Sequence, residues 1–146
     1  MSEIIERINQ ADSIIVYGTK KNGQDAFVGL HFLCPEKIVG FAVTRVLGED
    51  NDVFGFPIRP IEEYTYLTDK NPLVIVSTRE DYYAEIVSTI EDMGFCNYCL
   101  YGDGNSNQIE LHRVVEEREQ RPFAVLKNEV KRIELNKIAC GLLGNN

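Results

Sequence analysis

The stretch Ser13-Ile14-Ile15-Val16-Tyr17 constrains the fold most. After its serine it is apolar, largely β-branched, and lacks the polar alternation of a half-exposed strand. It reads as a strand buried on both faces, which is the habit of parallel sheets covered by helices. The polar turn Gly18-Thr19-Lys20-Lys21-Asn22-Gly23 follows it. A helix then opens at Asn22 or Gln24, with Ala26, Phe27, Leu30 and Leu33 at helical spacing. Pro35 ends that helix after Cys34. Lys37 to Val43 reads as the next strand.

The alternation continues. Leu47 to Phe56 is rich in Gly, Asp and Asn and reads as a loop. Phe56-Pro57-Ile58 reads as a short strand, and Pro60 to Leu67 as a short helix with a proline and two glutamates in its first turn. Leu73 to Ser77 is a third strong strand. Arg79 to Met93 is a helix whose core face holds Tyr83, Ile86, Val87 and Ile90, closed by Gly94. Phe95 to Tyr101 is a fourth strong strand. Ahead of all of these, Glu3 to Asn9 places Ile4, Ile5 and Ile8 on one face of a short helix. The pattern predicts a Rossmann-like, doubly wound parallel α/β sheet of about four to five strands. Strands 13–17, 37–43, 73–77 and 97–101 carry it, with 13–17 central and the switch point between 13–17 and 73–77.

Past Tyr101 the strands stop. Gln108 to Gln120 and Pro122 to Cys140 read as helices. Residues 1–107 are thus the α/β domain, and 108–146 a C-terminal helical extension that packs on it or mediates assembly. In the last helix Phe123, Leu126, Val130, Ile133 and Lys137 trace one stripe; Leu135, Ile138 and Leu142 trace a second. One stripe covers the domain. The other calls for a homodimer partner, a following domain, or cover from Gln108–Gln120 and the sheet edge.

The turn after the first strand is the sharpest functional signal. Gly18 permits a tight turn and Gly23 a close helix-to-strand approach. Unpaired N–H groups and the helix dipole at this point favour an anion. Lys20 and Lys21 leave the first strand, and Ser77, Thr78 and Arg79 leave the third strong one, so both groups flank the switch-point crevice. Two interpretations stand: a phosphate or carboxylate site, or solvated loop charge. The candidate binding residues are Gly18, Thr19, Lys20, Lys21, Asn22, Gly23, Ser77, Thr78 and Arg79.

From Ser13 to Gly102 the chain resembles the Rossmann-like domain of bacterial surface-polysaccharide proteins. These are the nucleotide-sugar-binding domains of sugar acetyltransferases and domains attached to glycosyltransferases. The resemblance rests on the Val16-Tyr17-Gly18 turn, Ile38-Val39-Gly40-Phe41, and Gly55-Phe56-Pro57-Ile58 before Ile61-Glu62-Glu63-Tyr64. The segment from Asp81 to Gly94-Phe95 completes it. It implies a nucleotide, nucleotide-sugar or other phosphate-bearing ligand. Two positions depart from the family: Lys20 replaces the middle glycine of the first turn, and Ala42-Val43-Thr44-Arg45 offers no ribose-binding acid. Both argue against NAD.

Other residues carry weaker signals. Cys96-Asn97-Tyr98-Cys99 has CxxC spacing but lacks a second metal-binding pair and enters a strand, so core packing is expected. His31 reads as half-buried packing and His112 as a solvated helix residue. Tyr83 reads as core and Tyr82 as surface. No nucleophile has a recognisable activating neighbour, and no catalytic or metal residue is assigned. The net charge of −8 in 146 residues disfavours nucleic-acid partners. No apolar run spans a bilayer, and the N-terminus lacks a basic leader, which places the expected location in the cytoplasm. Three functions remain: a ligand-binding module of polysaccharide synthesis; a degenerate NAD-type oxidoreductase or piece of a transferase; and a non-binding oligomerisation module.

Overall fold

The computed structural model describes residues 3–44 and 52–144, with side chains as far as 133. Helices α1 (Glu3–Gln10), α2 (Lys21–Leu33), α3 (Tyr83–Asp92), α4 (Ser106–Glu119) and α5 (Phe123–Gly144) surround one sheet. Its strands are β1 (Ile14–Tyr17), β2 (Ile38–Val43), β3 (Asp52–Val53), β4 (Phe56–Pro60), β5 (Leu73–Val76) and β6 (Tyr98–Leu100). They lie in the order β3-β4-β2-β1-β5-β6. All neighbours are parallel except β3 with β4. The fold is therefore a Rossmann-like α/β sheet with added C-terminal helices. β1 lies inside it, and the strand order reverses between β1 and β5, where a crevice forms at the carboxyl ends.

Every residue of β1 and of β5 is buried, which is why neither shows polar alternation. Ile14 and Val16 face a core built with Phe27 and Leu30 of α2, Ile4 and Ile8 of α1, and Leu111 and Val115 of α4. Ile15 and Tyr17 face the opposite core, with Ile61, Tyr64, Ile86 and Ile90. Phe123, Leu126 and Val130 of α5 join the first core. The C-terminal helices thus cover the same face as α2.

Several local structures differ from the sequence reading. The connection before β5 is a run of 3-10 turns, Ile61–Lys70. Helix α3 is preceded by a 3-10 turn at Glu80–Tyr82. The loop expected over 47–56 lies partly outside the described residues, but its end forms a hairpin. Asp52 pairs with Pro57 and Val53 with Phe56. Phe54 and Gly55 both have positive φ (53° and 80°), the conformation of a tight two-residue hairpin turn. With only two residues in β3, no alternation marked it. In α5, Ile133 is exposed although Phe123, Leu126 and Val130 of its stripe are buried. The side chains of Leu135, Lys137, Ile138, Cys140 and Leu142 lie outside the described residues. Among the described residues, no helix is long and apolar enough to cross a membrane.

Candidate ligand-binding site

The β1–α2 turn is held by three backbone contacts. The Gly18 N–H donates to the Ala42 carbonyl at 2.9 Å, and the Ser77 N–H and Oγ donate to the Tyr17 carbonyl at 2.9 and 2.7 Å. Gly18 has φ +114°, a region closed to residues with a Cβ. A Cβ on Gly23 would lie 2.0 Å from the Gly18 carbonyl oxygen. The two glycines thus do what the sequence assigns them: one makes the turn, the other lets α2 press on it. Lys20 between them has φ −90° and ψ −155°, an extended conformation open to any residue. Its side chain is exposed, and the first turn of α2 has neither an acid nor a side-chain cap. The helix N–H groups at this end therefore keep their positive field uncompensated by a carboxylate of that turn.

Beside this turn a cavity of about 400 Å³ opens at the carboxyl ends of β1, β2 and β5 and is walled by α3. This is within the usual range for small-molecule sites. Gly18, Thr19 and Lys20 form one rim, Val43 and Thr44 the end of β2, and Thr78 the end of β5. Tyr82, Glu85, Ile86 and Thr89 close the α3 side, and Tyr17 the floor. The Tyr17 hydroxyl and Thr44 Oγ1 share a hydrogen bond of 2.5 Å. Burial pushes the Tyr17 phenol up, the Thr44 bond pulls it down, and the nearby Glu85 charge raises it further. The net rise keeps it protonated, as a donor and acceptor. Thr78 Oγ1 is shut off from solvent and has no hydrogen-bond partner. Such an orphaned hydroxyl costs about 1–3 kcal/mol. One cation, Lys20, and one anion, Glu85, line the cavity with these hydroxyls.

Of the nine residues named from sequence, Gly18, Thr19, Lys20 and Thr78 line this cavity. Gly23 and Ser77 build the turn behind it. Lys21 is exposed at the start of α2. Asn22 faces the opposite way: its Nδ2 donates to Asp103 at 3.2 Å, and Gln108 donates to its Oδ1 at 3.5 Å. Arg79 pairs with Asp81 at 3.1 Å and lies over the Tyr82 ring, its guanidinium carbon 5.7 Å from the centroid. Thr44 holds the strand-two position where an acid is missing; Arg45 lies outside the described residues. Among the lining residues that sequence reasoning missed, Tyr17 and Thr44 supply hydroxyls and Glu85 the charge; the helix of Glu85 carries other acids, and its spacing shows nothing of the crevice.

A second polar cluster binds α2 to the C-terminal helices. Asp25 is buried on α2. Its Oδ1 accepts from the Tyr101 hydroxyl at 2.5 Å, from His112 Nε2 at 2.6 Å and from Gln108 Nε2 at 3.4 Å. Lys127 Nζ lies 3.6 Å from its Oδ2. Burial alone would raise the Asp25 carboxyl; the His112 and Tyr101 bonds and the His112 and Lys127 charges outweigh it and hold the carboxyl below its ordinary value. The His112 ring stacks on Phe123 at 3.7 Å between centroids. This corrects the reading of His112 as a solvated helix residue.

Cys99 is buried on β6, and burial pushes its thiol up to about 12. Cys96 is exposed, so the CxxC spacing places only one of its two thiols in the core. His31 packs edge-on against Phe32. Tyr83 is partly buried, its hydroxyl donating to the Tyr101 carbonyl at 3.0 Å. Among the described residues, no group of three His, Cys, Asp or Glu side chains is arranged to hold a metal ion. No protein-family model, no curated protein and no solved structure matches the chain.

Proposed function

We propose that this chain is a binding module for a nucleotide, a nucleotide-sugar or a related sugar phosphate, serving bacterial cell-surface polysaccharide synthesis in the cytoplasm. The observation that carries the ligand class is the cavity at the switch point. It is rimmed by the Gly18–Lys20 turn and lined by the Tyr17–Thr44 hydroxyl pair. A helix start without acids, an adjacent lysine and a floor of hydroxyls suit a single phosphate with a polar body. The polysaccharide context rests on the sequence resemblance alone. NAD suits the site poorly: the Lys20 side chain stands where close backbone approach to a pyrophosphate needs glycine, and β2 ends without an acid.

Thermal shift with UDP-glucose, glucose 1-phosphate, AMP and NAD tests this reading. At one hundred times its Kd a ligand stabilises the fold by about 2.7 kcal/mol, roughly 5–10 °C for a domain of this size. Such a rise is expected with one of the first three compounds, and it should shrink in Lys20→Ala. No shift with any of the phosphate-bearing compounds refutes the function; a shift with NAD alone favours the oxidoreductase. Assembly through α5 belongs to the same proposal, since Val125 and Ile133 are exposed apolar residues on it. Sedimentation showing a strict monomer at high micromolar concentration removes it.

A further inference from the structure

The sequence of β2 offers no carboxylate to hold a sugar, yet the folded crevice has one. Glu85 comes from α3 and lines the same cavity as the Gly18–Lys20 rim. It is close enough to bear electrostatically on the Tyr17 phenol at the floor. The cavity therefore has a polarity. Lys20 on the β1–α2 rim brings a positive charge to it, and Glu85 on the α3 wall a negative one. The Tyr17–Thr44 hydroxyl pair lines the same space.

A phosphate group cannot fill the whole of this space, because at the α3 wall it meets a like charge. A carboxylate accepts hydrogen bonds and donates none, so what it takes at neutral charge is hydroxyl protons, two at a time from neighbouring carbons. The Tyr17 and Thr44 hydroxyls can both donate and accept, which is what a further sugar hydroxyl needs. We infer that the cavity takes a phosphorylated sugar bearing a vicinal diol. The phosphate lies at the Gly18–Lys20 rim, and the diol donates to Glu85, which replaces the missing acid of β2. This deepens the proposal that the cavity is a phosphate-ligand site and rests on it.

Calorimetric titration of the full chain separates the two claims. The probes are inorganic phosphate, ribose 5-phosphate, 2-deoxyribose 5-phosphate, glucose 1-phosphate and UDP-glucose. Ribose 5-phosphate should bind about tenfold or more tighter than its deoxy analogue, the value of one hydrogen bond to a charged group. Glu85→Ala should erase that preference and weaken the diol-bearing probes by a similar factor. Inorganic phosphate should bind this variant as well as or better than wild type, since a repulsive charge is gone. Lys20→Ala should weaken every probe. UDP-glucose binding without binding of either free sugar phosphate assigns the diol to a nucleotide-sugar, provided Glu85→Ala still weakens it. If Glu85 serves only the dipole at the start of α3, its removal lowers stability slightly and leaves all affinities unchanged; that result overturns the inference while the phosphate site stands. If no probe binds wild-type protein, the site itself is lost and the inference with it. Glu85 is exposed, so the variant is expected to fold; circular dichroism checks this.

Discussion

Replacing Asp25 by alanine removes the node that joins α2 to α4 and α5. Four interactions vanish at once, of which the long Gln108 bond at 3.4 Å contributes least. The Tyr101 hydroxyl, on a side chain with no solvent exposure, loses its carboxylate acceptor. An abandoned buried donor costs about 1–3 kcal/mol. The charge-assisted bond from His112 is also lost; His112 is 30% exposed, so water recovers part of it and about 1 kcal/mol is appropriate. Lys127, at 3.6 Å and 20% exposed, adds about 0.5 kcal/mol. The sum is about 3 kcal/mol, at the lower edge of what breaking a buried pair does. Urea unfolding at pH 7 measures it, and the corresponding fall in melting temperature is roughly 6–12 °C. A loss below about 1 kcal/mol would mean that the cluster is as well solvated apart as together, and the reasoning would fail.

A double-mutant cycle and a pH series sharpen the same test. Tyr101→Phe should cost about 1–2 kcal/mol in the wild-type background and almost nothing once Asp25 is gone, because the phenol then has no carboxylate to lose. The folded protein holds the Asp25 carboxyl below its ordinary value, which in an unfolded chain is about 3.9. A depressed carboxyl stabilises the fold fully above the unfolded value and loses that contribution as pH falls through the folded one. The stability gap between wild type and Asp25→Ala should therefore narrow as pH falls below about 4. A gap that widens on acidification contradicts the sign of the shift.

Two more outcomes follow from the packing. Gly23→Ala drives a Cβ to 2.0 Å from the Gly18 carbonyl oxygen; since backbone must move, a loss of about 2–3 kcal/mol is expected in chemical denaturation, and a neutral result would show that α2 can slide off the turn freely. In a Cys140→Ser background, a thiol reagent should modify exposed Cys96 rapidly and leave Cys34 and Cys99, both buried, until the protein unfolds; labelling of Cys99 on the Cys96 timescale would put the β6 edge in fast local opening.

The fold was legible because it is written in runs. Ile14–Tyr17 and Leu73–Val76 are apolar throughout since both of their faces are covered, and that needs only local sequence to detect. The site was legible where chain neighbours make it, as at Gly18–Lys20 and Thr78. It was illegible where distant elements converge. Asp25 and His112 lie 87 positions apart, and a lone histidine on a charged helix gives no sign of a buried partner. Glu85 belongs to a helix whose surface carries other acids, and only the β1–β5 reversal brings its wall to the crevice. Asn22 and Arg79 show the converse: both stand at the right places along the chain, but Asn22 turns to the loop at Asp103 and Arg79 to Asp81.

On the proposed function, position 20 separates what the fold requires from what the ligand would require. Gly18 is demanded by its φ and Gly23 by contact with the Gly18 carbonyl. Lys20, with ordinary extended torsions, is demanded by neither. A lysine there leaves the β1–α2 turn intact and alters only what can approach the helix start: a pyrophosphate lying along bare backbone is impeded, and a terminal phosphate meets an added cation. On the same proposal Glu85 on α3 would take the sugar hydroxyls that β2, ending without an acid, cannot, without altering strand order or core. The two would act together, since a ligand held by Lys20 at the β1–α2 rim would have to direct its hydroxyls at the α3 wall to reach Glu85. Ligand choice, on that proposal, would rest on two exposed side chains, Lys20 and Glu85, set on a frame whose turn glycines and core do not involve them.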